Sequence, residues 1–99
     1  MHVIVDLCVV PLGIGTSVSE EVAECQRILK AHGLSHQMHG FGTNIEGEWD
    51  TVFKAVRICH ERIHEMGAQR ISTTIKLGTQ VDRHQTLADK VASVREKLE

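Results

Sequence analysis

The sequence predicts an α+β sandwich: a four-stranded antiparallel sheet with two helices on one face, followed by an additional C-terminal helix. Apolar residues recur with period two in four short segments and at i, i+3 and i+4 in three longer ones. These segments alternate in the order β-α-β-β-α-β-α, with glycine or proline near most of the junctions. The chain has 99 residues, 41% of them apolar, which suits one compact domain over residues 1–99 with no internal linker, low-complexity tract or repeat.

His2 to Val10 is mostly β-branched or apolar and Pro11 follows, which reads as a buried strand ended by proline. Gly13, Gly15 and Thr16 form a turn, and Ser17 with Glu20 has the spacing of a capping box. Val18, Val22, Cys25 and Leu29 then make one helical stripe, closed by Gly33. Leu34 to Phe41 is a second strand, and Gly40 and Gly42 form a tight connection. Thr43 to Glu46 is a third strand, stopped by Gly47. Trp49, Val52, Val56, Cys59, Ile63 and Met66 mark a second helix ended by Gly67. Arg70 to Leu77 alternates as a half-buried fourth strand. Thr86 and Asp89 repeat the capping-box spacing ahead of a third stripe, Leu87, Val91, Val94 and Leu98. Two βαβ units joined by a hairpin form the split-βαβ, ferredoxin-like sandwich, and right-handed crossovers put both intervening helices on one face.

Composition removes several classes of function. A formal charge of −2 without a block of like charge gives no footprint for nucleic acid or an anionic membrane. Phe41, Trp49 and Phe53 are the only aromatic residues besides the histidines, too few for a base-stacking surface. Cys8, Cys25 and Cys59 are scattered, without a CxxC pair, and read as free thiols in a reducing compartment. The N-terminal apolar run is broken by Asp6 and lacks a basic lead, so a cytoplasmic protein is expected.

Strand alternation assigns side chains to faces. If the wholly apolar sets meet the helices, the open face of the sheet carries Asp6, Cys8, Asn44, Glu46, Ser72, Thr74 and Lys76. The second strand has two possible phases, adding either His36 and Met38 or Gln37 and His39. Ile4 and Val10 share that face, so a second subunit is expected to cover it. Carboxylates on a covered face require partners. Lys76 across the interface is one such partner; an amine-bearing cationic ligand is another.

Other constellations carry less chemistry. His60 and His64 are spaced i, i+4 on the second helix as a helical metal site requires, but no third ligand is identifiable, so no metal site is expected. GIGTS opens a helix as a phosphate loop does, yet lacks the lysine and spacing for nucleotide hydrolysis. Asp6 with Glu46 is the only candidate carboxylate pair, and neither has a catalytic partner, so no enzymatic activity is expected.

The segments DLCVVPLGIGTSVSEEVAEC, GTNIEGEWDTVFKAV and RISTTIKLGTQVDRHQTLADKVASVREKL resemble the YkoF-like thiamine-binding protein family over nearly the whole chain. The resemblance implies a ferredoxin-like fold, non-catalytic binding of thiamine or its hydroxymethylpyrimidine half, and homodimers or homotetramers formed through sheet faces and edges. It carries over Asp6 and Cys8 of the first strand, Pro11, Gly13, Ser17 and Ser19 of the turn and helix start, Gly42, Thr43, Ile45, Glu46, Gly47 and Trp49 around the GTxIEG element, and Arg70, Ser72, Thr73 and Lys76 of the fourth strand. Cys8 stands where a serine is expected, and Gly40 where a proline is common. The ligand set this implies, joined to the open-face polar residues, is Asp6, Cys8, Ser17, Ser19, Thr43, Asn44, Glu46, Trp49, Thr74 and Lys76. A carboxylate such as Glu46 can accept from an aminopyrimidine. Trp49 can offer its ring face to a cation or serve as core. Thiamine or hydroxymethylpyrimidine would be a ligand, with no cofactor besides. The alternative is a structural or regulatory homo-oligomer without a small-molecule ligand.

Overall fold

The computed structural model describes all residues, 1–99. The chain runs β1 (His2–Leu12), α1 (Ser19–Ala31), β2 (Ser35–His39), β3 (Gly42–Glu48), α2 (Trp49–Glu65), β4 (Arg70–Thr79) and α3 (Leu87–Leu98). The sheet has the order β2-β3-β1-β4 with every neighbouring pair antiparallel. This is the ferredoxin-like sandwich that the periodicity predicts, with the extra C-terminal helix. No helix is long and apolar enough to cross a membrane.

Odd-numbered residues of β1 face the helices. Val3, Val5 and Leu7 join Leu29 of α1, Ile45 of β3 and Val52, Ala55 and Val56 of α2 in the main core. A second cluster, Cys25, Cys59, Ile63 and Ala68, ties α1 to α2. In that cluster the Cys59 thiol is pushed well above the ordinary thiol range, first by its hydrogen bond to Cys25 and then by burial. Even-numbered residues of β1 form the open face. Asp6 lies opposite Asn44 and Lys76, Ile4 opposite Glu46, and Cys8 opposite Thr74, which is the face assignment that alternation predicts.

Several boundaries differ from the expected ones, each for a physical reason. β1 continues through Pro11, which is buried and pairs with Ile71. Pairing with β3 ends at Leu7, so Pro11 lies where one strand edge is unpaired and a missing N–H is tolerated. β3 likewise passes through Gly47, where a Cβ would lie 2.6 Å from Leu34 Cδ2, so the glycine admits Leu34 to the core. Ser17 does not cap α1. The helix starts at Ser19 behind Val18, with no side-chain cap, and Ser17 Oγ instead lies 3.2 Å from Ser19 Oγ. The second capping box is present in full: Asp89 N–H donates to Thr86 Oγ1 at 3.1 Å and Thr86 N–H to Asp89 Oδ2 at 3.0 Å.

α3 lies over the open face, pinned where Leu87 N–H donates to Glu46 Oε2 at 3.2 Å. None of its residues is buried, and Val91 and Val94 are 51% and 58% exposed.

Candidate ligand site

β1 outruns β3. Its pairing with β3 stops at Leu7, whereas its pairing with β4 continues to Leu12. Along Cys8 to Leu12 one edge of β1 therefore meets neither strand nor helix backbone, and its amides and carbonyls on that side are available. The hairpin tip between β2 and β3 stands on one side of this edge, and the first turns of α1 stand on the other. Together they enclose a slot of about 570 Å³, a volume typical of small-molecule pockets (roughly 300–1,000 Å³).

Its walls are Val10 of β1, Val18 just ahead of α1, Val22 of α1, and Met38 and Phe41 of the hairpin. This placement explains an oddity of the α1 stripe. Cys25 and Leu29 are buried as the stripe predicts, but Val18 and Val22 have no strand beneath them and face the slot. Phe41, 90% exposed, sits at the hairpin tip on the slot's rim.

A few polar groups punctuate the apolar lining. Gln26 Nε2 donates to the buried Thr43 Oγ1 at 2.9 Å, fixing the hydroxyl at the slot wall. His39 Nε2 lies 2.8 Å from Asp6 Oδ1, while Phe41 N–H donates to His39 Nδ1 at 3.2 Å. Because Nδ1 accepts, Nε2 is the nitrogen that donates to Asp6, and the tautomer follows. Ser17 and Ser19 line the mouth, beside helix amides without a side-chain acceptor. A planar, partly apolar molecule with a hydrogen-bonding edge fits such a lining: the walls take its faces, while the free β1 edge and the hydroxyls take its donors and acceptors.

The ten residues singled out from the sequence lie in three places. Cys8, Ser17, Ser19 and Thr43 line the slot. Asp6, Asn44, Glu46, Thr74 and Lys76 lie on the open face, where Asp6, Asn44 and Lys76 border a groove toward α3. Asp6 also reaches the slot rim through His39. Glu46 has a side chain only 12% exposed, occupied by the Leu87 amide and lying 3.5 Å from His2 Nε2. Trp49 is apart from both. It opens α2, its N–H donates to Met1 O at 2.9 Å, and its ring lies 4.9 Å from Phe53. Gln26 and Phe41 carry no signal as site residues in the sequence, and Met38 and His39 belong to the two alternative phases of β2. The pairing of Gln37 with Asn44 and His39 with Gly42 puts Gln37 and His39 on the Asp6 side and Met38, opposite Thr43, on the other.

A model of the family described as thiamine-binding protein matches residues 5–95. The chain belongs to the thiamine-binding protein family. Among its relatives is a UPF0045 protein of Synechocystis sp., 58% identical over 99 residues, an alignment covering all of this chain and 82% of the relative. The crystal structure of a hypothetical protein from Methanocaldococcus jannaschii superposes with a TM-score of 0.88 at 26% identity, over 96% of this chain and 97% of the other. A Thermotoga maritima protein described as a candidate thiamine biosynthesis/salvage protein shares the fold, with a TM-score of 0.81 at 19% identity over 96% and 100% of the two chains. The family is thus described by binding rather than by catalysis.

Proposed function

We propose that this protein binds thiamine or its hydroxymethylpyrimidine half without turning it over, as a homo-oligomer serving salvage, buffering or delivery of the vitamin, as in the YkoF-like branch of such proteins. The observation that carries the reading is the slot: an apolar cleft beside an unpaired strand edge, in a member of the thiamine-binding family. The aminopyrimidine inserts between the α1 and hairpin walls. Its amine and ring nitrogens meet the β1 edge, Cys8, Thr43 and the serines, and Phe41 closes over the exposed end. Asp6, through His39, supplies negative charge at the rim for the thiazolium.

Glu46, Asn44, Thr74 and Lys76 serve the other face in this account, and Trp49 packs against Phe53. Isothermal titration with thiamine and with hydroxymethylpyrimidine tests the reading. Saturable heat is expected for both, with Glu46→Gln close to wild type. No heat with either ligand at millimolar concentration sinks the proposal, and a large loss in Glu46→Gln moves the site to the open face.

A homo-oligomer is favoured by the exposed apolar residues of α3 and β1. Val91, which lines a cleft between α3 and the β2–β3 side of the sheet, and Val94 are both more than half exposed, and Val10 and Leu12 are exposed on the open sheet face. Covering such groups with a second copy would add to the modest burial that a chain of this length achieves alone.

A further inference from the structure

A second groove, of about 530 Å³, lies on the opposite side of the sheet from α1, between the open face of β1 and β4 and the connection leading into α3. Lys76 of β4, Arg83 of the connection and Lys90 of α3 converge on it, and none of the three makes an ion pair. Lys76 stands directly opposite Asp6, the one acid of the groove, but Asp6 is engaged by His39 instead. Three unpartnered cations are therefore gathered at one place in a chain whose formal charge is −2.

The groove's histidines point the same way. The rings of His2 and His84 meet edge to face at 4.7 Å. His2 Nε2 is buried and lacks a hydrogen-bond partner; the Glu46 carboxylate beside it, at 3.5 Å, is turned to the Leu87 amide. A buried polar atom without a partner costs about 1–3 kcal/mol, so a hydrogen-bonding group bound beside His2 and His84 would relieve it. Gln80, Gln85 and Thr79 add neutral donors, and Gly78 leaves the floor beside Ile4 open.

We propose that this groove is a second binding site, for a small phosphate-bearing anion of diphosphate charge. Arg83 presents a planar fork suited to two phosphate oxygens, and Lys76 and Lys90 act as point charges on either side. The volume admits more than a bare ion, and without aromatic side chains beyond the two histidines the groove favours a charged group over a stacked base. The site shares only Asp6, through His39, with the slot, and stands whether or not thiamine is the slot's ligand.

Titration calorimetry with inorganic pyrophosphate and with orthophosphate, at low and constant ionic strength, tests it. Pyrophosphate should bind saturably and about tenfold more tightly than orthophosphate, since it spans more of the cations. The double variant Arg83→Gln/Lys90→Gln should lose at least about tenfold in affinity, while Lys54→Gln/Lys97→Gln, which keeps the groove but changes net charge equally, should not. All four side chains are exposed, so both variants should fold, as circular dichroism would verify. Absence of saturable heat, or equal losses in the two double variants, overturns the proposal. Pyrophosphate binding without thiamine binding would overturn only the reading of the slot.

Discussion

At Cys8 the side chain borders the slot as a thiol where a serine is expected, and a thiol is the weaker hydrogen-bond donor. Cys8→Ser should therefore raise affinity for hydroxymethylpyrimidine by roughly three- to tenfold, corresponding to one ordinary hydrogen bond. Competitive titration of the two proteins measures this, and unchanged affinity would remove Cys8 from the contact. His60 provides a test of packing. Its Nε2 lies 2.6 Å from Thr73 Oγ1 between α2 and β4, and burial, helped by the neighbouring His64, holds its imidazole below the ordinary range. The unfolded chain takes up the proton near pH 6.5, whereas the folded protein resists it. The contribution is thus complete above that pH and declines as pH falls from about 6.5 toward the lower folded value. Urea midpoints at about pH 7 and 5 should differ less in His60→Gln than in wild type; an identical difference would contradict this assignment.

Among the elements, the stripes of α1 and α2 and the alternation of β1 were legible because each buries a regular set of side chains, whereas β4 and α3 show their periodicity without a fully buried residue. The misread glycines share a cause. Gly42 and Gly47 look like punctuation in the sequence, yet both lie within β3, since each permits a close approach rather than a turn. A Cβ at Gly42 would lie 2.5 Å from Leu7 O, so Gly42→Ala should push the hairpin off β1 and destabilise the fold by about 1–3 kcal/mol in urea melts. No local pattern reveals such a contact, because it depends on a strand some 35 residues away. Nor could the slot be read directly, since it arises from the different lengths of β1's pairings with β3 and β4. Its apolar wall was visible only as an α1 stripe that seemed to belong to the core. At α3 the capping box was legible, and Thr86→Ala should cost about 0.5–2 kcal/mol of local stability. Hydrogen exchange should then accelerate in α3 while the amides of β1 stay protected; uniform loosening of both would show that α3 is integral to the core.

For the whole molecule, the sandwich separates two chemistries. One end of the helix-covered side holds an apolar slot, and the open face holds a basic groove and the exposed apolar stripe of α3. An oligomer built on that stripe should elute as a multiple of 11.0 kDa, and Val91→Glu/Val94→Glu should shift it toward the monomer in light scattering. A wild-type monomer at every concentration would contradict that assembly. Ligand binding, by contrast, rests on the slot. The most direct test is a two-dimensional amide NMR titration of the labelled protein with thiamine. Shifts concentrated at Cys8–Leu12, Ser17–Val22 and Met38–Thr43 are the predicted result. Shifts confined to Asn44, Glu46 and Lys76, or none at saturating ligand, would contradict it.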